Sequence, residues 1–157
     1  MKIKNEIVRR TASEEETFRL GGALARLLTP GDTVLLYGDL GAGKTVLVRG
    51  MGAALGAKNV RSPSFTLVNE YRTERFDLVH ADLYRLEPEG AEELGLEDYL
   101  SEGRVLVVEW PERWASLPRE QVLTVHISAE SETDRTFRIA ASEPRNLRNL
   151  EECQCRP

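Results

Sequence analysis

GDLGAGKT, the stretch from residue 38 to residue 45, matches the pattern G-x-x-x-x-G-K-[ST] at every fixed position. Its eight members are Gly38, Asp39, Leu40, Gly41, Ala42, Gly43, Lys44 and Thr45. The flanking sequence has the matching form, because residues 33–37 (TVLLY) are typical of a buried strand and residues 46–55 of a helix. A strand, a glycine-rich loop and a helix in this order predict a phosphate-binding loop, or P-loop. The pattern alone leaves one alternative, an ordinary glycine turn before a helix.

The predicted loop has a physical use for each of its residue types. Glycines let backbone N–H groups turn inward around an anion, and the positive end of the following helix points to the same place. Lys44 is then expected to reach the β- and γ-phosphates of a nucleotide, and the Thr45 hydroxyl to bind Mg²⁺. The sequence has no N-K-x-D element, which reads guanine in GTPases, and no D-x-x-G element. ATP with Mg²⁺ is therefore the predicted ligand.

Length and charge restrict the class of protein. The chain has 157 residues, which fits one domain with a single core. Its net charge of −5 predicts no strong sequence-independent attraction to nucleic acid, so an RNA substrate would have to be held by another protein. The N-terminus lacks a signal-type apolar core, and no apolar run reaches membrane-spanning length. We expect a cytosolic protein without a membrane segment.

The C-terminal end differs in character from the rest of the chain. From about residue 142 the sequence is polar and loses its periodicity, which predicts a P-loop domain over residues 1–141 and a polar tail over residues 142–157. Cys153 and Cys155 lie in this tail. A C-x-C pair by itself is a weak signal for metal binding or redox chemistry, and an ordinary tail explains it better.

The order of strand and helix patterns predicts an α/β fold, a P-loop NTPase-like three-layer domain with a mixed, partly parallel central sheet. Ser13 and Glu16 have the spacing of a capping box, which begins a helix whose apolar face includes Phe18 and which runs to about Leu28. Residues 66–71 and 76–81 are separated by four polar residues, which favours an antiparallel hairpin.

Glu109 is the first candidate for completing the site. It directly follows residues 105–108 (VLVV), a run typical of a strand buried on both faces. P-loop enzymes place a carboxylate at the end of a neighbouring apolar strand, where its oxygens suit Mg²⁺. Most such sites use Asp, so Glu109 could act through a metal-bound water. The alternative is a carboxylate at a point where the strand simply reaches solvent.

Asp82 is the second candidate. Strand alternation places it on the same face as Phe76, Leu78 and His80. The Asp82 carboxylate could order the attacking water or hold the water shell of the metal, and a surface cap on residues 83–85 is the alternative. For His80, a packed or hydrogen-bonded core position is favoured over a role as catalytic base.

Two further features lie near the predicted site. Residues 62–66 (SPSFT) follow the P-loop helix, where many P-loop enzymes carry a segment that senses the γ-phosphate. Ser64 and Thr66 offer hydroxyl groups for this purpose, although a turn explains the composition equally well. Trp110 and Trp114 are candidates for the core, and Trp110 is close enough to Glu109 to report on a bound nucleotide.

Four motifs occur here in one order and together resemble a known family. They are residues 38–45, residues 62–71 (SPSFTLVNEY), residues 80–85 (HADLYR) and residues 108–112 (VEWPE). This set is similar to that of the bacterial tRNA threonylcarbamoyladenosine biosynthesis ATPases, the TsaE (YjeE) family. The similarity extends over roughly residues 13–127, and the DLYR and EWPE elements discriminate far better than the P-loop.

The resemblance implies an activity and partners. It implies a weak ATPase that acts with two ASKHA-fold proteins, TsaB and TsaD, which transfer a threonylcarbamoyl group to an adenosine of tRNA. The tRNA would be contacted through these partners. By position, the resemblance assigns phosphate binding to Lys44, Mg²⁺ to Thr45 and Glu109, a part in hydrolysis to Asp82, and a place beside the nucleotide to Trp110.

Two other functions share the same loop. A small-molecule kinase has a similar size, but it usually adds an arginine-bearing lid and an acceptor pocket, and the arginines here are scattered. A nucleotide-dependent binding module that has lost hydrolysis is the other alternative. Formation of a phosphorylated metabolite would favour the first, and tight ATP binding without ADP formation the second.

Overall fold

The computed structural model describes residues 5–63, 65–145, 147 and 150. These residues form a seven-stranded sheet with helices on both of its faces. The strands are β1 (Glu6–Thr11), β2 (Thr33–Tyr37), β3 (Val68–Tyr71), β4 (Leu78–Asp82), β5 (Val105–Glu109), β6 (Val122–Ala129) and β7 (Arg135–Ala141). The helices are α1 (Glu14–Ala25), α2 (Lys44–Leu55), α3 (Pro88–Glu93) and α4 (Leu96–Ser101), and a 3₁₀ turn spans Pro111–Arg113.

The sheet is mixed, with a parallel centre. Its strand order is β1-β7-β6-β2-β5-β4-β3, and β6, β2, β5 and β4 pair in parallel. The outer pairs β1–β7, β6–β7 and β3–β4 are antiparallel. The predicted hairpin is confirmed as β3–β4, although both strands are shorter than expected at their N-terminal ends. The carboxyl ends of the four parallel strands meet at one edge of the sheet, where parallel sheets place their binding sites.

Alternation along the central strands supplies two separate cores. In β5, Val105 and Val107 belong to the core beneath α1 and α2, whereas Leu106 and Val108 belong to the core beneath α3 and α4. All four side chains are fully buried, which confirms the prediction that this strand is covered on both faces. The three-layer α/β fold predicted from the sequence is therefore correct.

Helices α1 and α2 pack with their backbones in close approach. A Cβ atom added to Gly21 would lie 2.1 Å from the Leu47 carbonyl oxygen, and one added to Gly50 would lie 1.9 Å from the Phe18 carbonyl oxygen. Any larger residue would push the helices apart at these two positions. The close contact fixes α1 against the helix that follows the P-loop.

The start of α1 follows the prediction, and its apolar face differs from it. Ser13 caps the helix by accepting a hydrogen bond from the Glu16 N–H at 3.1 Å, and the Glu16 carboxylate accepts one from the Ala12 N–H. The helix ends at Ala25 instead of near Leu28. Phe18 is 41% exposed, so its expected place in the core is wrong. The Gly21 and Gly50 contacts bring α2 so close that small residues, not Phe18, form the interface.

Part of the predicted tail contacts the domain. Arg145 donates to both carboxylate oxygens of the buried Asp32, with the shorter contact at 2.7 Å, and Leu147 and Leu150 lie in the core beneath α1 and α2. The boundary at residue 142 stays a prediction, and these contacts show that residues beyond it add to the core. Cys153 and Cys155 lie outside the described residues.

Candidate P-loop site

Parallel pairing brings the candidate residues to one place. Asp82, at the end of β4, lies opposite Glu109, at the end of β5, and Glu109 also lies opposite Leu36 of β2. The P-loop leaves β2 immediately beyond this level, so both carboxylates stand beside it. The sequence prediction that the ends of two apolar strands meet the loop is consistent with this register.

The loop itself has the backbone conformation that its glycines allow. Gly41 and Gly43 have φ of 78° and 108°, in the left-handed region that other residues rarely occupy. A Cβ at Gly41 would meet nothing within 4 Å, so the strain of this conformation, and not crowding, requires glycine there. Helix α2 begins directly after Gly43. The loop therefore leads directly into the N-terminus of α2, the kind of position at which proteins bind anions.

The predicted loop residues divide by position. A cavity of about 580 Å³ at the end of the sheet is lined by Leu40, Gly41, Gly43, Lys44 and Thr45 from the loop, and by Asp82, Glu109 and Trp110 opposite them. The other three loop residues do not line it. Gly38 packs against Ile127 of β6, Asp39 is exposed to solvent, and Ala42 is buried in the core. Eight of the eleven predicted site residues thus share one cavity with a size suited to a small ligand.

Lys44 lies across the middle of the cavity. Its Nζ donates to the Gly38 carbonyl oxygen at 2.5 Å and lies 4.1 Å from the centre of the Trp110 ring. Burial lowers the pKa of Lys44, and the nearby carboxylates of Glu109, Asp82, Glu112 and Asp39 act in the opposite direction. Lys44 is only 5% exposed, so its ammonium group is shielded from bulk solvent beside the cavity that it lines.

Glu109 is buried and is hydrogen-bonded to a histidine on the neighbouring strand. His80, which is fully buried, is hydrogen-bonded through Nε2 to Glu109 Oε2 at 2.7 Å. Because an ionised carboxylate can only accept, we assign the proton to Nε2 of His80. His80 Nδ1 has no hydrogen-bond partner among the described residues. His80 is thus a hydrogen-bonded core histidine, as expected, and it fixes the orientation of the candidate metal ligand.

Asp82 faces the same cavity from the neighbouring strand. Its Oδ1 accepts a hydrogen bond from the Tyr84 N–H at 3.0 Å, so the local cap considered for residues 83–85 exists beside the functional possibility. Burial raises the pKa of Asp82, the Tyr84 hydrogen bond lowers it, and the neighbouring Glu109 carboxylate raises it further. A cation bound beside Asp82 would favour its ionised form.

The two tryptophans have different places. Trp114 is 1% exposed in the core beneath α3 and α4, as one of the two alternatives predicted. Trp110 lines the cavity, where its ring lies 4.8 Å from that of Tyr84. The Trp110 backbone has φ 59° and ψ 51°, a left-handed conformation that is strained for a bulky residue. This conformation turns the Trp110 ring toward Lys44.

The candidate γ-phosphate segment contributes one described residue to the cavity, Ser62. The Thr66 hydroxyl instead donates to Asn69 Oδ1 at 2.7 Å, so it stabilises a local turn in this structure. Ser64 lies outside the described residues. A sensing role for this segment stays a prediction.

Sequence reasoning missed the side of the cavity opposite the carboxylates. Ser13, Glu14 and Thr17 of the α1 region line it, together with Glu132, Thr133 and Arg135 of the β6–β7 turn. Parallel pairing of β6 with β2 brings this turn beside the P-loop. Ser13 was predicted only as a helix cap, and the turn residues follow no pattern, because any solvent-exposed hairpin has a polar turn between its two strands.

The donor set fits Mg²⁺ held jointly with phosphate. Among the described residues, no group of three or more His, Cys, Asp or Glu side chains is arranged to hold a metal ion. Asp82, Glu109 and the Thr45 hydroxyl provide only oxygen donors. Mg²⁺ prefers oxygen ligands, keeps several waters, and is commonly held by one or two carboxylates plus substrate phosphates. These residues match that use.

The fold and the loop geometry define the class, a P-loop domain of the α/β type. A model of the family described as "Threonylcarbamoyl adenosine biosynthesis protein TsaE" matches residues 11–137. The chain belongs to the TsaE family, which confirms the resemblance predicted from its four motifs.

Individual relatives support this membership. The tRNA threonylcarbamoyladenosine biosynthesis protein TsaE of Nostoc sp. is 47% identical over 113 residues, which cover 68% of this chain and 69% of the relative. The protein of the same name from Aquifex aeolicus is 40% identical over 134 residues, or 83% of this chain and 93% of the relative. The crystal structure of Bacillus subtilis YdiB superposes with a TM-score of 0.72 at 31% identity, covering 91% of this chain and 90% of that one. None of the described helices is long and apolar enough to cross a membrane.

Proposed function

We propose that this chain is a Mg²⁺-dependent ATPase that supports threonylcarbamoyladenosine biosynthesis in tRNA. The observation that carries the proposal is the meeting of Lys44 and Thr45, at the start of α2, with Asp82 and Glu109 in one cavity. The family description and the names of the relatives support the pathway.

The proposed roles follow from the contacts. Lys44 and the backbone N–H groups of Gly41, Gly43 and Thr45 bind the phosphates. Thr45 and Glu109 hold Mg²⁺, with Glu109 oriented by His80. Asp82 orients the attacking water from the adjacent strand. Mg²⁺ supplies charge neutralisation between the phosphates when it is bound.

We further propose that hydrolysis is slow until partners bind. Two cationic side chains, Lys44 and Arg135, line the described cavity. Arg135 uses four of its N–H groups on main-chain carbonyl oxygens, whereas Lys44 uses one contact, to Gly38, so Lys44 is the cation available to the phosphates. Charge stabilisation of a phosphoryl-transfer transition state usually needs more than one cation besides Mg²⁺. A complex of the TsaB–TsaD type would complete the site and would hold the tRNA, which agrees with the acidic charge of this chain. A cytosolic location is part of this proposal.

The test is ATP hydrolysis by the purified chain with Mg²⁺, alone and after addition of TsaB, TsaD or both. We expect slow release of ADP that rises sharply only with both partners, and a lower rate of release in the Lys44→Ala variant at the same ATP concentration. Tight ATP binding without ADP formation in the complex would favour a binding module. A phosphorylated metabolite formed without partners would favour a kinase. Either result would overturn the proposal.

A further inference from the structure

Arg135 has an unusual set of partners for a residue at the start of an outer strand. Its Nε donates to the Ala42 carbonyl oxygen at 3.0 Å, and its Nη2 donates to the Gly41 carbonyl oxygen at 3.4 Å. Its Nη1 donates to the carbonyl oxygens of Ser131, at 2.8 Å, and Asp134, at 3.0 Å. The guanidinium group thus uses four of its five N–H groups on backbone oxygens, two on the P-loop and two on the β6–β7 turn.

The position of Arg135 follows from the sheet. Strand β6 pairs in parallel with β2 up to Tyr37 and His126 and then continues to Ala129, beyond the end of β2. The turn that follows β6 therefore passes beside the P-loop. Arg135 is the first residue of β7, where it lies opposite Ala129.

The two contacts on the loop bear on its ability to bind an anion. A P-loop binds phosphate only when its peptide N–H groups point inward, which sends the corresponding carbonyl oxygens outward. Glycine makes the opposite peptide orientation accessible, and Gly41 and Gly43 flank Ala42. A flip of either peptide would turn a carbonyl oxygen toward the phosphates. Arg135 holds both oxygens, of Gly41 and Ala42, toward the β6–β7 turn, to which its other N–H groups are bound. The N–H group of the Gly41–Ala42 peptide donates to the Asp39 carbonyl oxygen at 3.1 Å, so this peptide is held at both of its polar atoms.

We infer that Arg135 is a positioning residue that keeps the P-loop in its anion-binding conformation and joins it to the β6–β7 turn. The inference rests on the proposed nucleotide site and adds to it a residue that acts through backbone oxygens. The positive charge of Arg135 alone does not explain these four contacts, because they require one planar guanidinium group that donates to oxygens on two separate segments.

The test compares two variants of Arg135 with matched variants of Arg138. Arg135→Lys keeps the charge and loses the planar group, and Arg135→Gln loses both. Arg138 lies on the same strand with 66% of its side chain exposed and pairs with Glu6 at 3.3 Å, so Arg138→Lys and Arg138→Gln control for changes in β7. Circular dichroism and urea unfolding confirm that each variant is folded.

Two measurements decide the matter. The first is calorimetric affinity for Mg²⁺-ADP and for pyrophosphate, which engages the loop without a base. We expect both Arg135 variants to bind both ligands about tenfold more weakly, which equals about 1.4 kcal/mol. The second is ¹⁵N relaxation dispersion of the amides of residues 41–43 in the ligand-free protein, where we expect exchange in the Arg135 variants only.

Each other outcome contradicts the inference. Full affinity in Arg135→Lys would show that only the charge matters, and a loss confined to ADP would indicate a contact with the base or ribose. Unchanged loop dynamics in both variants would exclude positioning. If the wild-type protein bound neither ligand, the proposed function would fail, while the relaxation measurement would still judge Arg135 without any nucleotide.

Discussion

The two walls of the cavity are built on different principles. One, the carboxylate wall, consists of Asp82, Glu109 and Trp110 at the ends of β4 and β5. The other, the turn wall, consists of Glu132, Thr133 and Arg135 at the β6–β7 turn. The carboxylate wall presents side-chain oxygens to the cavity, with one of them fixed by the buried His80. In the turn wall, Arg135 contacts the P-loop by donating to the main-chain carbonyl oxygens of Gly41 and Ala42.

We therefore expect the carboxylate wall to affect the rate of hydrolysis and the turn wall to affect the conformation of the P-loop. Removing a group of the carboxylate wall should change turnover while the loop still binds phosphate. Removing Arg135 should weaken binding because the loop loses its shape. Lys44 contacts the P-loop at Gly38 and the carboxylate wall at Trp110, so its loss should affect both.

The largest effect is expected in turnover after Glu109→Gln. The variant keeps the shape and one hydrogen-bond acceptor for His80 but loses the charge that would hold Mg²⁺. We expect partner-stimulated ATP hydrolysis to fall about 100- to 1,000-fold, the usual scale for removing one preorganised electrostatic group. The affinity for ADP, measured by calorimetry, should change far less.

Glu93→Gln, at an exposed position of α3, is the control for loss of a carboxylate. If Glu109→Gln weakened ADP binding as much as it slowed turnover, the carboxylate wall would serve binding, and the comparison of the two walls would not hold.

The next effect is expected in binding after Lys44→Ala. A charge-assisted contact contributes about 1.5–3 kcal/mol, so the affinity for ATP should fall about 10- to 150-fold. Calorimetry measures this, with the exposed Lys58→Ala as a control of equal charge change. Unchanged affinity in Lys44→Ala would show that the P-loop is not where this protein binds ATP.

The carboxylate wall and the P-loop could be predicted because their positions leave a trace in the sequence. Glu109 ends an unbroken β-branched and leucine run, and Lys44 and Thr45 belong to a loop whose glycine spacing is fixed by backbone conformation. The mixed sheet followed from the same signals, since an apolar run of this kind needs cover on both faces.

The turn wall left no such trace. Arg135 begins a strand after a polar turn, and nothing in that composition shows that β6 continues past β2 and carries the turn to the loop. The contacts of Arg135 are to backbone oxygens, which every residue possesses. The exposed Phe18 was misplaced for a similar reason. The close approach of α1 and α2 depends on Gly21 and Gly50, and glycines do not contribute to the pattern of apolar residues from which a buried helix face is predicted.

That close approach gives a third prediction, which tests whether the loop needs α1 in place. Gly21→Ala puts a Cβ 2.1 Å from the Leu47 carbonyl oxygen, a backbone atom that cannot move alone. We expect the free energy of unfolding, measured in urea, to fall by about 1–3 kcal/mol from overpacking.

Gly22→Ala is the matched control, because its Cβ would lie 3.5 Å from the Ala54 Cβ, an ordinary contact. Replacing this helical glycine should be neutral or stabilising, since Ala favours helix by about 1 kcal/mol. Equal effects of the two variants would show that the helices can separate freely. A loss of ADP affinity in Gly21→Ala but not in Gly22→Ala would show that the α1–α2 contact also supports the conformation of the P-loop.

The smallest effect is expected in the pH dependence of stability, where Asp82→Asn tests whether the ionised form of Asp82 is unfavourable in the folded protein. Burial and the neighbouring Glu109 raise the pKa of Asp82 above its ordinary value of 3.8. From that value up to the raised pKa, the folded protein binds more protons at Asp82 than the unfolded chain, so the wild-type protein loses stability as the pH rises. Asn cannot titrate. The stability of Asp82→Asn relative to wild type, from urea unfolding, should therefore be greater at pH 7 than at pH 3.

Asp98→Asn, at an exposed position of α4, controls for the loss of a carboxylate in general. A difference that was equal at both pH values would mean that the ionised Asp82 is not disfavoured in the fold. Mg²⁺ with ADP provides the last step, because a cation at the carboxylate wall favours the ionised form of Asp82. Adding both at pH 7 should stabilise the wild-type protein more than Asp82→Asn, which would show that a bound cation offsets the unfavourable burial of the Asp82 charge beside Glu109.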